Sequence, residues 1–398
     1  MLFRYICVCI FFVFNVLGKQ LEIQTLSKNV VLINGKNGRI LYQKNPYEKI
    51  YPASLTKIAT LLFLLDKKKD RLIDKIKISK KTIFSVDSQE KDKYPPYILE
   101  KDGTNLDLKE GEIISSSDLL YALMLISGND CANVLAKSVC GSIFNFMKEL
   151  NEYLKTLELK DTSFFNPHGL HYKNHITTAY EIALIAKKAL KIEKFKNIVK
   201  TPYYVISKTN KHPKRKIVQY NELLNKQKRF FYPPAIGIKT GYHSKAKFNL
   251  VAAAEKENRL LIAVLMSADH SDDRYIDAIN LFEKAFSEKK IDKKIFKKDS
   301  VFSLKIKGTK NLLKAYLKDD VIFSCFPSEE QKIKSYIRWE KTILPIEKDE
   351  LVAHLYIIPI DKKEFICYPL YSKEKMESSF WSKLFFLKKI IKKFNKFF

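Results

Sequence analysis

Near residue 288 the spacing of apolar residues changes character, and that change divides the chain. Between about Leu21 and Phe286 hydrophobic runs alternate between strand-like and helix-like periods, the pattern of a mixed α/β (α+β) domain. From about Ile291 to Tyr371 the runs become short and alternating, as in Val301-Phe302-Ser303-Leu304-Lys305-Ile306 and Ala353-His354-Leu355-Tyr356-Ile357-Ile358. That pattern predicts a small all-β domain. The lysine-rich stretch Glu288 to Asp299 reads as the linker. A chain of 398 residues, 46% of them hydrophobic, is long enough to give each domain its own core. The expected domains are residues 19–287 and 288–372, flanked by two terminal segments of a different kind.

At the N-terminus, Met1 to Arg4 carries one positive charge, Tyr5 to Val16 is almost wholly apolar, and Val16-Leu17-Gly18 offers small residues for cleavage. Residues 1–18 therefore read as a secretion signal, the apolar run being short for a membrane span. At the other end, residues 373–398 predict an amphipathic helix: Phe380, Leu384, Leu387, Ile390, Ile391, Phe394, Phe397 and Phe398 gather on one side, and Lys388, Lys389, Lys392, Lys393 and Lys396 on the other. Such a helix suits the headgroup region of an anionic membrane, where each lysine contributes about 1 kcal/mol. The formal charge of +28, from 72 basic and 44 acidic residues, also suits an anionic partner. Export points away from nucleic acid and toward the outer face of the cytoplasmic membrane, or the periplasm. Outside the signal, Cys131, Cys140, Cys325 and Cys367 are too sparse for a disulfide framework or a zinc cluster.

The chemistry starts in Tyr51-Pro52-Ala53-Ser54-Leu55-Thr56-Lys57, where a turn leads into a long apolar helix. Ser54 and Lys57, three apart, share a face of that helix. A serine hydroxyl needs a neighbouring base, and a lysine in a dry cleft beside another cation can lose its proton and serve as one. Spacing alone is weak: Ser88/Lys91, Ser244/Lys247, Ser287/Lys290 and Ser372/Lys375 repeat it. The weight lies with two further groups downstream and with their order. Ser127-Gly128-Asn129 ends an apolar helix-like run from Asp118, and Lys239-Thr240-Gly241 follows the strand-like Ile236-Gly237-Ile238.

In that order, Ser54-Leu55-Thr56-Lys57, Ser127-Gly128-Asn129 and Lys239-Thr240-Gly241 resemble the three motifs of penicillin-binding proteins and serine β-lactamases. With Asn166-Pro167-His168-Gly169-Leu170 and Thr177-Thr178-Ala179-Tyr180, the chain is similar to the low-molecular-mass serine D-alanyl-D-alanine carboxypeptidases. The resemblance implies a β-lactamase/transpeptidase-like catalytic domain, a β-rich second domain, a C-terminal amphipathic anchor, peptidoglycan stem peptides as substrate, covalent capture by β-lactams, and no metal or organic cofactor. It also implies roles. Ser54 is the nucleophile, Lys57 the general base and Ser127 a proton relay; Asn129, Lys239, Thr240 and Gly241 bind substrate; the backbone N–H groups of Ser54 and Tyr242 form the oxyanion hole.

Arg274 stands open between the substrate carboxylate pocket and a solvated place on a helix, while His168 reads as a structural residue of its turn. Two departures concern the third motif: Tyr242 stands where some relatives have histidine, and Lys247 where many have glycine. The competing functions are a β-lactamase, against which the absence of a Glu-x-x-x-Asn loop signal between Asn129 and Lys239 weighs; an endopeptidase or transpeptidase using the same acyl-enzyme; and a catalytically weak, tethered peptidoglycan-binding protein.

Overall fold

The computed structural model describes residues 12–14 and 20–377, apart from residues 308, 310, 331, 332 and 360–364. Two units divide the described chain, one over Gln20–Ser287 and one from Glu288 onward together with Phe12–Phe14.

The first unit is built on a five-stranded antiparallel sheet in the order Ala235–His243, Lys247–Lys256, Arg259–Ala268, Asn29–Asn34, Ile40–Lys44. Successive residues of a strand point to opposite faces. Val31 and Ile33 accordingly enter one core with Val251, Ala253, Ile262 and Val264, and Val30 and Leu32 enter another with Leu250, Ala252, Leu261 and Ala263. With both faces covered, these strands read as continuous apolar runs rather than alternating ones.

Helices Thr56–Lys67, Ser116–Leu125, Asn129–Cys140, Ile143–Thr156, Ala179–Ala189 and Glu193–Val199 fill the first core, and helix Asp273–Phe286 closes the second through Tyr275, Leu281 and Phe282. Every residue from Thr56 to Leu65 is buried, so that helix is enclosed on all sides. Three helix starts are capped by hydroxyls that accept a backbone N–H three residues on: Ser115 from Asp118, Ser142 from Asn145 and Thr178 from Glu181.

The second unit holds a six-stranded antiparallel sheet, in which Ile333–Trp339, Leu351–Pro359 and Ile366–Ser372 are consecutive neighbours, and a separate pair, Ile291–Phe296 with Val321–Cys325. Its own core includes Leu313, Phe323, Ile337, Trp339, Leu355 and Leu370. The division at Ser287/Glu288 is as expected, but the linker reading and one boundary need correction. The stretch Glu288 to Asp299 is no linker throughout, because Ile291–Phe296 is a strand whose Ile291 and Ile295 pack on the β core. Residue 373 does not begin an anchor helix: Met376 is buried in the β core and exchanges backbone hydrogen bonds with Ile346 at 2.8 and 2.9 Å. The amphipathic pattern of residues 380–398 and the signal reading of residues 1–18 lie outside the described residues, except that Phe12–Phe14 pairs with Ile333–Ser335 at the sheet edge.

Candidate active site

Ser54 lies in a single turn of tight helix, Ala53–Leu55, that runs directly into helix Thr56–Lys67. The turn is unusual in that Ala53 holds φ +48°, a left-handed conformation that costs a residue with a Cβ about 1–2 kcal/mol. Tertiary contacts hold it. A Cβ on Gly169 would stand 2.0 Å from the Ala53 carbonyl oxygen, and one on Gly241 would stand 3.1 Å from that of Pro52 and 3.2 Å from Ser54 N. Only bare backbone lets the two chains close on the turn from these directions. Asn249, fully buried, donates from its amide to Tyr51 O and Pro52 O at 3.2 Å each and accepts from Ser267 N at 2.8 Å. Thr56 Oγ1 donates to Ala53 O at 2.9 Å, which leaves it to accept from His175 Nε2 at 2.8 Å. His175 in turn accepts from Phe165 N at Nδ1, and burial takes its pKa down to about 3, so the ring is neutral.

Lys57 is fully buried and its Nζ meets three oxygens: Ser54 Oγ at 3.0 Å, Asn129 Oδ1 at 2.7 Å and the His168 carbonyl at 2.6 Å. Burial, then the charge of Lys239, holds its pKa well below the ordinary lysine range. A neutral amine here has two N–H bonds for Asn129 and His168, and one lone pair left to face the Ser54 hydroxyl. In that state the amine has the geometry to accept a proton from Ser54 Oγ, 3.0 Å away.

Asn129 opens helix Asn129–Cys140, and Ser127, with φ +62°, turns the chain into it from helix Ser116–Leu125. The corner is pinned from outside: Thr104 Oγ1 donates to Ser127 O at 2.9 Å, and Asn129 N donates to Thr104 O at 2.8 Å. Asp130 receives the N–H groups of Leu106, Leu108 and Cys131, and burial still pushes its pKa up. Ser127 Oγ is buried with no hydrogen-bond partner among the described atoms. A hydroxyl left in that state is available to a ligand.

The Lys239-Thr240-Gly241 segment runs along the exposed edge of the sheet, in strand Ala235–His243. Lys239 is buried, donates to Thr240 O at 2.9 Å, and has its pKa lowered to about 7 by burial and then by the charge of Arg274. Arg274 is not a solvated helix residue: it is 8% exposed and donates to Gly241 O at 3.3 Å and Asn249 O at 3.0 Å. It braces the third-motif strand against its neighbour. Tyr242 is 57% exposed.

Ser54, Lys57 and Asn129 are thus in mutual contact through Lys57 Nζ, Gly241 lies against Ser54, and Lys239 acts on Lys57 through its charge. The His168 ring is tied down, accepting from Leu170 N at 3.1 Å with Tyr97 O 3.3 Å from its Nε2. Sequence reasoning missed the His168 carbonyl, whose role is one of position only, and missed Asn249. Its signal was a polar residue inside the apolar run Phe248-Asn249-Leu250-Val251.

Residues 17–270 match the family D-alanyl-D-alanine carboxypeptidase, and residues 292–378 match the penicillin-binding protein 5 C-terminal domain. The chain is 30% identical over 382 residues to the D-alanyl-D-alanine carboxypeptidase DacF of Bacillus subtilis, covering 94% of this chain and 92% of that protein. It is 33% identical over 257 residues to DacD of Escherichia coli, covering 63% and 61% of the two chains. Among solved structures, the carboxypeptidase DacD from Francisella tularensis shares the fold with a TM-score of 0.63 at 20% identity, over 92% of this chain and 97% of that one. The Streptomyces K15 DD-transpeptidase matches with a TM-score of 0.59 at 25% identity, over 67% of this chain and 99% of that one.

Lys247 has a backbone explanation. His243 pairs with Lys247 across a three-residue turn, Ala246 N donates to His243 O at 3.0 Å, and Lys247 follows with φ +58°. Hairpins of this length place a left-handed residue there, the position at which glycine is free of strain. Lys247→Gly is expected to stabilise the protein by up to about 1 kcal/mol, measured as a higher midpoint in urea unfolding; a lower midpoint contradicts the strain.

Proposed function

The chain belongs to the D-alanyl-D-alanine carboxypeptidase family, serine hydrolases of peptidoglycan metabolism, and from that premise we propose how its residues divide the work. Ser54 Oγ attacks the carbonyl carbon between the last two D-alanines of a stem peptide while neutral Lys57 takes its proton. Negative charge on the carbonyl oxygen is met by the N–H groups of Ser54 and Tyr242. The C–N bond then breaks, and the departing nitrogen receives a proton through Ser127, whose buried hydroxyl has no hydrogen-bond partner among the described residues. Free D-alanine leaves an ester on Ser54. Water attacks that ester, gives a proton to Lys57, and Ser54 recovers its own. Asn129 holds the substrate backbone, Lys239 and Thr240 hold the terminal carboxylate, and Arg274 acts through the strand it braces. β-Lactams acylate the same serine.

The observation that carries this reading is the three-way seat of Lys57, which leaves its lone pair for Ser54. Ser54→Ala is expected to abolish D-alanine release from a pentapeptide and covalent labelling by penicillin together. Lys57→Ala lowers the acylation rate by about 10³-fold or more with the fold intact. Labelling that persists in Ser54→Ala removes the nucleophile assignment.

Lys239 generates a pH dependence. Its protonated form binds the carboxylate, so substrate capture is present below its pKa and is lost as pH rises through about 7. A guanidinium keeps its charge throughout. In Lys239→Arg the alkaline fall of kcat/KM is expected to move up by at least a unit or disappear. A fall that stays at the same pH assigns it to another group.

For location, we propose that the exported chain lies on an anionic membrane through residues 380–398, whose lysines and apolar residues alternate with helical period. The chain lacking residues 1–18 is expected to sediment with phosphatidylglycerol vesicles, and removal of residues 380–398 to leave it in the supernatant. Sedimentation that survives the deletion places the membrane contact elsewhere.

A further inference from the structure

Beside the third-motif strand stand three side chains to which the chemistry above gives no substrate contact. The Tyr242 ring lies on Phe248 with centroids 4.4 Å apart and planes 26° from parallel, and the Arg274 guanidinium sits 5.3 Å from the centre of the Phe248 ring. Tyr242 and Phe248 are direct partners in the strand register, the arrangement in which cross-strand rings hold each other most firmly. Although held in this way, Tyr242 keeps 57% of its surface exposed. A side chain that is ordered without being covered offers a flat apolar face at little further cost in entropy when something settles on it.

Its direction decides what that something is. Alternation along a strand sends Thr240 and Tyr242 to one face and Lys239 and Gly241 to the other. The two residues are roughly 6.7 Å apart along the strand. If Thr240 grips the terminal carboxylate, the side chain on the neighbouring Cα of the same departing residue comes within reach of Tyr242. D-Alanine carries only a methyl group there, far less than the ring can cover.

We propose that the Tyr242–Phe248 stack is a specificity shelf for the departing residue, so that the enzyme releases terminal D-residues bearing apolar or planar side chains as well as D-alanine. The reaction is unchanged: the same C–N bond is hydrolysed through the same ester, and only the amino acid that leaves is different. The proposal rests on the acyl-enzyme reading above.

The test compares kcat/KM for diacetyl-L-lysyl-D-alanyl-D-alanine and the analogues ending in D-leucine and D-phenylalanine, using the full-length chain. Wild type is expected to release D-phenylalanine within about tenfold of D-alanine. Tyr242→Ala is expected to lower the D-phenylalanine to D-alanine ratio by about three- to tenfold, the size of one aromatic contact, while Tyr242→Phe keeps it within about twofold. The ratio cancels damage common to both substrates, including any at the Tyr242 backbone. Phe248→Leu, which removes the supporting ring and keeps apolar volume, is expected to lower the ratio in the same direction, and it stands in if Tyr242→Ala does not fold. A ratio unchanged in either variant, or a wild type that releases D-alanine and not D-phenylalanine, overturns the shelf alone. A wild type that releases no D-alanine takes the acyl-enzyme reading down with it.

Discussion

A lysine amine shut away from water and still hydrogen-bonded three ways is the constraint around which the catalytic unit is arranged. Burying an ammonium without partners costs several kcal/mol, and Lys57 is 0% exposed. Two conditions make that burial tolerable: the amine can give up its proton, and its N–H bonds are satisfied by Asn129 and His168. Each partner comes from a different part of the chain, 72 and 111 residues away. Holding one amine therefore requires the second-motif helix and the Asn166–Leu170 loop to be in place, and Thr60 Oγ1 adds a second tie to that loop through Pro167 O at 2.7 Å. The site and the packing of the unit are one requirement.

The same economy explains the glycines and the buried asparagine. Ser54 must stand where both Lys57 and the edge strand can reach it, which forces the turn ahead of it close against two other backbones. Gly169 and Gly241 permit that approach, and Asn249 supplies a hydrogen bond to Tyr51 O and a second one to Pro52 O, which also accepts from Leu55 N. Arg274 repeats the solution one strand further out, satisfying Gly241 O and Asn249 O while its charge bears on Lys239. A cation placed to brace a strand thereby adds to burial in lowering the pKa of the lysine on that strand.

Much of this was legible in the residues themselves. The change of apolar spacing near residue 288 anticipates two units with separate cores, because period is a local property that survives folding. The three-residue spacing of Ser54 and Lys57 anticipates their contact, although Ser54 stands in the tight turn ahead of the helix. What escaped is whatever depends on backbone atoms or on long-range approach. The His168 carbonyl, the burial of Arg274 and the role of Asn249 all depend on contacts with residues far away in sequence. The β unit's end was misplaced, and Glu288 to Asp299 was taken for a linker, for a related reason: Ile291, Ile295 and Met376 are apolar residues set among charges, and only their neighbours in space, such as Ile346, show that they are core.

The conformational strain is distributed unevenly, and its placement has a logic. Ala53 and Ser127 are both left-handed at φ +48° and +62°, and they precede Ser54 and the Asn129 amide that seats Lys57. Such residues persist only where surrounding contacts over-determine them. Here those contacts are the close approach of Gly169, the Asn249 amide, and the two Thr104 hydrogen bonds. None of these is made by the strained residues' own secondary structure. Two loops and one strand of the sheet thus impose on two short turns a shape that their own sequence does not favour, and those turns carry Ser54 and lead into Asn129.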